Sequence, residues 1–310
     1  MEKKILVAID GSPHTVNTAN YLGSLFAACP KVKFDLICMV ASKESDIDKA
    51  WQGPEGSIEH LPPEVRSQCR RGEECLTRAA QRLSRRGIES ERITTRVVPA
   101  NVGKASGIIA EAKKGIYDAV AIGRRGLGKI EEIMLGSVSA EVLDRCHGVP
   151  VWVIDGEVDS SRFLVPVDGS FHSLLAADHL GHILGDHPTA EITLFHSSAM
   201  FASGSPADPR ELYDSFGRDW CEEHLSRPDS TFHGPRQVLV DHGFDRHRIN
   251  WLHTFRGIEA SRQIIRQALM DEFGTIVIGR RGGHINKGVF RGVSDRVLFM
   301  AEKVAVWVVG

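Results

Sequence analysis

The residues best suited to chemistry are three glycines, Gly123, Gly126 and Gly136, the last followed at once by Ser137. They lie between a run predicted as a strand at 118–122 and a stretch predicted as a helix from 137. Phosphate oxygens are held well by backbone N–H groups at a helix N-terminus, and glycines let the main chain approach without a Cβ in the way. A serine opening the helix adds a hydroxyl donor, or simply caps it. The plainer reading of the same residues is a tight turn and a capping serine. Two rival motifs fail on single positions. Gly123 to Lys129 fits the first seven positions of a P-loop, but Ile130 stands where a Mg²⁺-binding Ser or Thr is required. A dinucleotide G-x-G-x-x-G would follow the first strand, which here ends in Asp10-Gly11-Ser12-Pro13.

The elements that must position these residues occur twice. ILVAIDGS at 5–12 returns as FLVPVDGS at 163–170, IIAEAKKGIYDAVAIGRRG at 108–126 as IIRQALMDEFGTIVIGRRG at 264–282, and VPVWVI at 149–154 as VAVWVV at 304–309. Three matches in one order mean a duplicated domain. The boundary falls in the polar stretch Asp155 to Ser161, giving domains 1–157 and 158–310. Short apolar runs alternating with helical patterns predict a parallel sheet flanked by helices in each copy. Strands are expected near 4–9, 34–40, 92–98, 118–122 and 150–154, then near 162–167, 190–196, 248–254, 275–278 and 304–309. Helices fill 13–29, 64–86, 103–115 and 137–146. In copy two a helical stretch at 208–225 is followed by SRPDSTFHGP, read as a breaker, so 199–236 is expected to be an insertion.

With Gly123, Gly126, Gly136 and Ser137 in the pattern G-x2-G-x9-G-S and a DGS turn after strand one, the chain resembles the universal stress protein family as a tandem pair. The resemblance implies two tandem Rossmann-like α/β domains, each a five-stranded parallel sheet in order 3-2-1-4-5. It also implies an adenine nucleotide, ATP or else ADP or AMP, with or without Mg²⁺, at the carboxyl ends of strands one and four. Ile9 and Asp10 would lie beside the nucleoside and Val40 against adenine, while Gly123, Arg125, Gly126, Gly136, Ser137, Val138 and Ser139 would surround the phosphates. Read from the residues alone, Asp10 also suits a helix start and Val40 a plain core position. Arg124 and Arg125 read more readily as solvated than as phosphate ligands. In the family the last strands pair across a dimer axis, implying an intrachain pseudo-dimer through the strands of Trp152 and Trp307, or a homodimer. Both tryptophans also suit a core.

The second copy carries Asp168, Gly279, Gly282 and Gly292 as a weaker site. Gly292 sits ten residues after Gly282, yet VSAEVL at 138–143 pairs with VSDRVL at 293–298, which puts Gly292 opposite Ser137 and Arg291 opposite Gly136. Losing the hydroxyl costs about 1.5–3 kcal/mol, roughly ten- to a hundredfold in affinity. Ser198 stands where Val40 does, and His196 where Cys38 does.

A net charge of −2 and a pI near 6.7 give no general attraction to polyanions, so no nucleic-acid partner is expected. The apolar run at Ile5–Ile9 is far short of a membrane span, and a cytoplasmic, membrane-free protein is expected. Six cysteines without a CxxC pair suit reduced thiols, with Cys38 in the core and Cys69 and Cys75 on different helix faces. Asp178, His179 and His182 share a helix face, but no closed ligand set is apparent and surface histidines are the default reading. No nucleophile elbow, Walker motif or placeable carboxylate pair argues for efficient catalysis; slow ATP hydrolysis stays open. The expected function is an ATP-binding stress-response switch or scaffold. The alternative is a binding protein whose second domain takes a non-nucleotide small or amphipathic molecule under a lid at 199–236.

Overall fold

The computed structural model describes residues 1–41, 62–100, 103–124, 135–198, 209–254, 259–280 and 292–310. It divides into two compact units, Met1–Glu157 and Val158–Gly310. In the first, β1 (Lys3–Ala8), α1 (Pro13–Phe26), β2 (Val32–Ala41), α2 (Pro63–Arg85), β3 (Ile93–Ala100), α3 (Lys104–Lys114), β4 (Ala119–Gly123), α4 (Ser137–Arg145) and β5 (Val151–Ile154) follow one another. The strand order is β3-β2-β1-β4-β5 and every pairing is parallel. Central strands covered on both faces must be apolar throughout, as Ile5, Leu6, Val7 and Ala119 to Ile122 are, all buried. Amphipathic α2 buries Val65, Cys69, Gly72, Leu76, Ala79 and Leu83 at helical spacing.

The second unit repeats the order as β8-β7-β6-β9-β10, with β6 (Arg162–Pro166), α5 (Phe171–Leu184), β7 (Glu191–Ser197), β8 (Ile249–Thr254), α9 (Ala260–Met270), β9 (Thr275–Gly279), α10 (Val293–Met300) and β10 (Ala305–Val309). Between β7 and β8 three helices occur: α6 (Pro209–Phe216), α7 (Arg218–Leu225) and α8 (Ser230–Asp241). The expected breaker is thus confined to a short turn. Asp229 carbonyl accepts from the N–H groups of Phe232 and His233 (3.0 and 2.9 Å), and α8 runs on through buried Pro235 because tertiary burial overrides its low propensity.

Trp152 and Trp307 are core residues, Trp152 stacked on Phe26 and Trp307 edge-on to Phe163. The surface reading of the histidines fails at His179, which is buried edge-on against Trp307, since a helix face turned to the sheet buries whatever it carries. Asp178 instead meets His242 Nε2 at 2.8 Å. Among the described residues all six cysteines are free thiols, and no helix is long and apolar enough to cross a membrane. The first unit also buries Asp35, whose carboxylate accepts from Arg96 (2.8 Å) and Tyr117 Oη (2.5 Å). Burial pushes its pKa up, but the bonds from Arg96, Tyr117 and Thr94 outweigh this and hold it below the usual carboxylate value.

Candidate functional site

In an open parallel sheet, neighbouring strands whose connections leave to opposite sides open a crevice at their carboxyl ends. In the first unit those strands are β1 and β4. Ile9 continues β1 and is buried, its N–H donating to Ile37 carbonyl at 2.8 Å. Asp10 Oδ1 accepts from the Ser12 N–H at 2.9 Å and from Thr15 Oγ at 3.0 Å, so this oxygen holds the turn and opens α1. Gly11 has φ +77°, and a Cβ there would run into Cys75 Sγ of α2, so the turn needs glycine on both counts. Val40 packs in an apolar cluster with Val65, Cys69 and Val97. Burial pushes the neighbouring Cys38 thiol up to about 11.

At the end of β4 the chain leaves the sheet with Arg124 N–H donating to Ile154 carbonyl (2.9 Å) and returns with Gly136 N–H donating to Arg124 carbonyl (2.9 Å). The loop is therefore pinched shut at its base. Ser139 Oγ donates to Gly123 carbonyl at 2.8 Å, tying the first turn of α4 to the strand end. Helix α4 has Gly136 as N-cap, which has no side chain to bond the first-turn N–H groups, and Ser137 is exposed. The first N–H groups of a helix have no partner within it, so this end is suited to accept an anion. Arg124 is not solvated: it is 1% exposed. Arg125, Gly126, Gly282 and the residues of the P-loop-like run from Gly128 to Ile130 lie outside the described residues.

The second unit keeps the frame and alters the chemistry. Asp168 Oδ1 accepts from Ser170 N–H at 3.0 Å, the same turn as at Asp10. Ser294, Val297 and Leu298 are buried in α10 as Ser139, Val142 and Leu143 are in α4, which places Gly292 opposite Ser137. Gly279 ends β9 where a Cβ would run into His172 carbonyl, so this glycine admits the start of α5. Asp295, in the first turn of α10, sets its Oδ1 3.6 Å from Arg280 Nε, and both side chains are largely buried. Ala140 occupies that position in α4. A carboxylate in the first turn satisfies the helix's own positive end and repels an incoming phosphate. Sequence reading passed over Asp295, although the VSAEVL and VSDRVL pairing contains the Ala-to-Asp change; nothing local announces the burial of Arg124.

The profile of the universal stress protein family matches residues 1–155, and the chain belongs to that family. Universal stress protein YxiE of Bacillus subtilis (strain 168) is 28% identical over 144 residues, spanning 46% of this chain and 92% of that protein. Several solved structures match along 99% of the chain, two of them universal stress proteins by description. A universal stress protein from Archaeoglobus fulgidus DSM 4304 has a TM-score of 0.61 at 20% identity, covering 99% of this chain and 95% of its own. A putative universal stress protein from Pseudomonas aeruginosa UCBPP-PA14 has 0.55 at 15%, covering 99% and 93%. At these identities the likeness is one of fold.

Proposed function

We propose that the first unit binds an adenine nucleotide, ATP or its di- or monophosphate, and that the chain works as a nucleotide-responsive switch or scaffold in stress response. The observation that carries this is the backbone bond between Arg124 and Gly136, which sets the glycine-capped first turn of α4 at the carboxyl end of β4. Backbone N–H groups of Ser137, Val138 and Ser139, with the Ser137 hydroxyl, would take phosphate oxygens. The Ser139 hydroxyl is already spent on Gly123, so that residue contributes its main chain alone. Asp10 would face the ribose with the carboxylate oxygen not holding the turn. Val40 would back the base from within its apolar cluster, and Arg125 and Gly126 complete the motif. Mg²⁺, if bound, would ride on the phosphates with water, as is usual for this ion. In the second unit Asp168, Gly279, Gly282 and Gly292 form a weaker counterpart, disfavoured by the missing hydroxyl and by Asp295.

Native mass spectrometry of the full chain with and without ATP tests both halves of the proposal. One nucleotide per chain is expected. Two would overturn the asymmetry, and none would remove the nucleotide switch.

A further inference from the structure

We propose that the second unit binds a borderline transition-metal cation, of the Zn²⁺, Ni²⁺ or Cu²⁺ kind, between His196 on β7 and His253 on β8. The two are direct partners in the parallel ladder, so their side chains leave the same face at neighbouring positions. Their ring centres lie 5.0 Å apart with planes inclined by 59°. Two imidazoles on one tetrahedral ion, with metal–nitrogen bonds of about 2.0–2.1 Å, place their ring centres roughly 5 Å apart.

The outer shell is already built. His196 Nδ1 lies 2.7 Å from Val167 carbonyl. A carbonyl only accepts, so Nδ1 carries the proton and Nε2 the lone pair, the tautomer in which ligand histidines are held. His253 Nε2 lies 2.8 Å from Ser198 Oγ, which accepts from Nε2–H when the ring's other nitrogen takes the metal. Phe232 stands edge-on to both rings, at 6.1 and 6.2 Å, and walls the pair with an apolar face. Among the described residues no three His, Cys, Asp or Glu side chains surround one point, so the two imidazoles are the described protein ligands. Nitrogen ligands without a carboxylate select against Mg²⁺ and Ca²⁺. The first unit has Cys38 and Val97 in this paired position and Val40 in place of Ser198. The inference uses the second unit's residues alone and stands whether or not the first unit takes a nucleotide.

The test is calorimetric titration of the nucleotide-free full chain with ZnCl₂ at neutral pH, checked by the visible absorption of added Co²⁺. One saturable equivalent is expected. His196→Gln and His253→Gln should each weaken it by more than about tenfold, and Ser198→Ala by roughly tenfold through the outer shell. His224→Gln, which alters the separate His224–His233 pair, should leave it unchanged. His253 is exposed, so its variant keeps the test valid if His196→Gln fails to fold. No saturable binding, binding undiminished in His253→Gln, or binding lost in His224→Gln would each overturn the site.

Discussion

The carboxyl end of β4 and that of β9 are built on one plan and differ in what they leave for a ligand. In the first, Gly123 is tied to α4 through the Ser139 hydroxyl and the helix opens on Gly136 and Ser137 with no acid in its first turn. In the second, Gly279 receives the backbone of His172, and Asp295 brings a carboxylate into the first turn of α10 beside Arg280. At Gly279 packing alone already requires the glycine, since a Cβ there would meet the His172 carbonyl. The lesson is that a glycine pattern reports backbone shape, while the charge in the first helical turn decides whether an anion is welcome.

The largest expected effect comes from Gly123→Val, which puts a branched side chain at the end of β4, where the glycine motif begins. ATP affinity of the full chain should fall at least about a hundredfold, roughly 2.7 kcal/mol, by calorimetry. Unchanged affinity would mean that the nucleotide binds elsewhere and would dissolve the contrast between the units.

Asp35→Asn probes a second difference, since Thr193, Leu252 and Phe273 replace Asp35, Arg96 and Tyr117 in the second unit. Arg96 is half-exposed, so a loss of about 2 kcal/mol is expected, confined to the first unit and read by hydrogen exchange in each half. The Asp35 pKa is lowered in the folded state, so its contribution is present above the ordinary carboxylate value. It is lost as pH falls through the folded value. Acid destabilisation of the first unit should therefore flatten in the variant. An equal loss in both units would refute this account.

The smallest effect is a gain. Asp295→Ala removes the carboxylate from the first turn of α10 and should tighten nucleotide binding to the second unit about fivefold, near 1 kcal/mol. A second bound nucleotide should then appear in native mass spectra at high ATP. If Asp295→Ala leaves occupancy at one, the missing hydroxyl or the packing at Gly279 is the dominant block.

Strand positions, the helices of the first unit and the duplication were legible because continuous apolar runs and helical spacing are local properties; α8 of the second unit, which covers much of the expected breaker, was not. The glycine motif was legible for the same reason. Less was visible where a residue's role depends on what packs against it. Arg124 reads as a loop arginine yet is buried, His179 reads as a surface histidine yet lies against Trp307, and Pro235 reads as a breaker yet sits inside α8.

The sequence by itself determined the two α/β repeats and the family, since periodicity, the Gly123 to Ser137 spacing and the DGS turns are properties of the chain in order. Only the tertiary structure decided which donors are already spent and which charges meet. Asp10 Oδ1 holds Ser12 and Thr15, Ser139 holds Gly123, Asp295 meets Arg280, and His196 meets His253 across two strands far apart in sequence. Hydrogen bonds and ion pairs act over a few ångströms of space, and sequence separation says nothing about that distance until the sheet has formed.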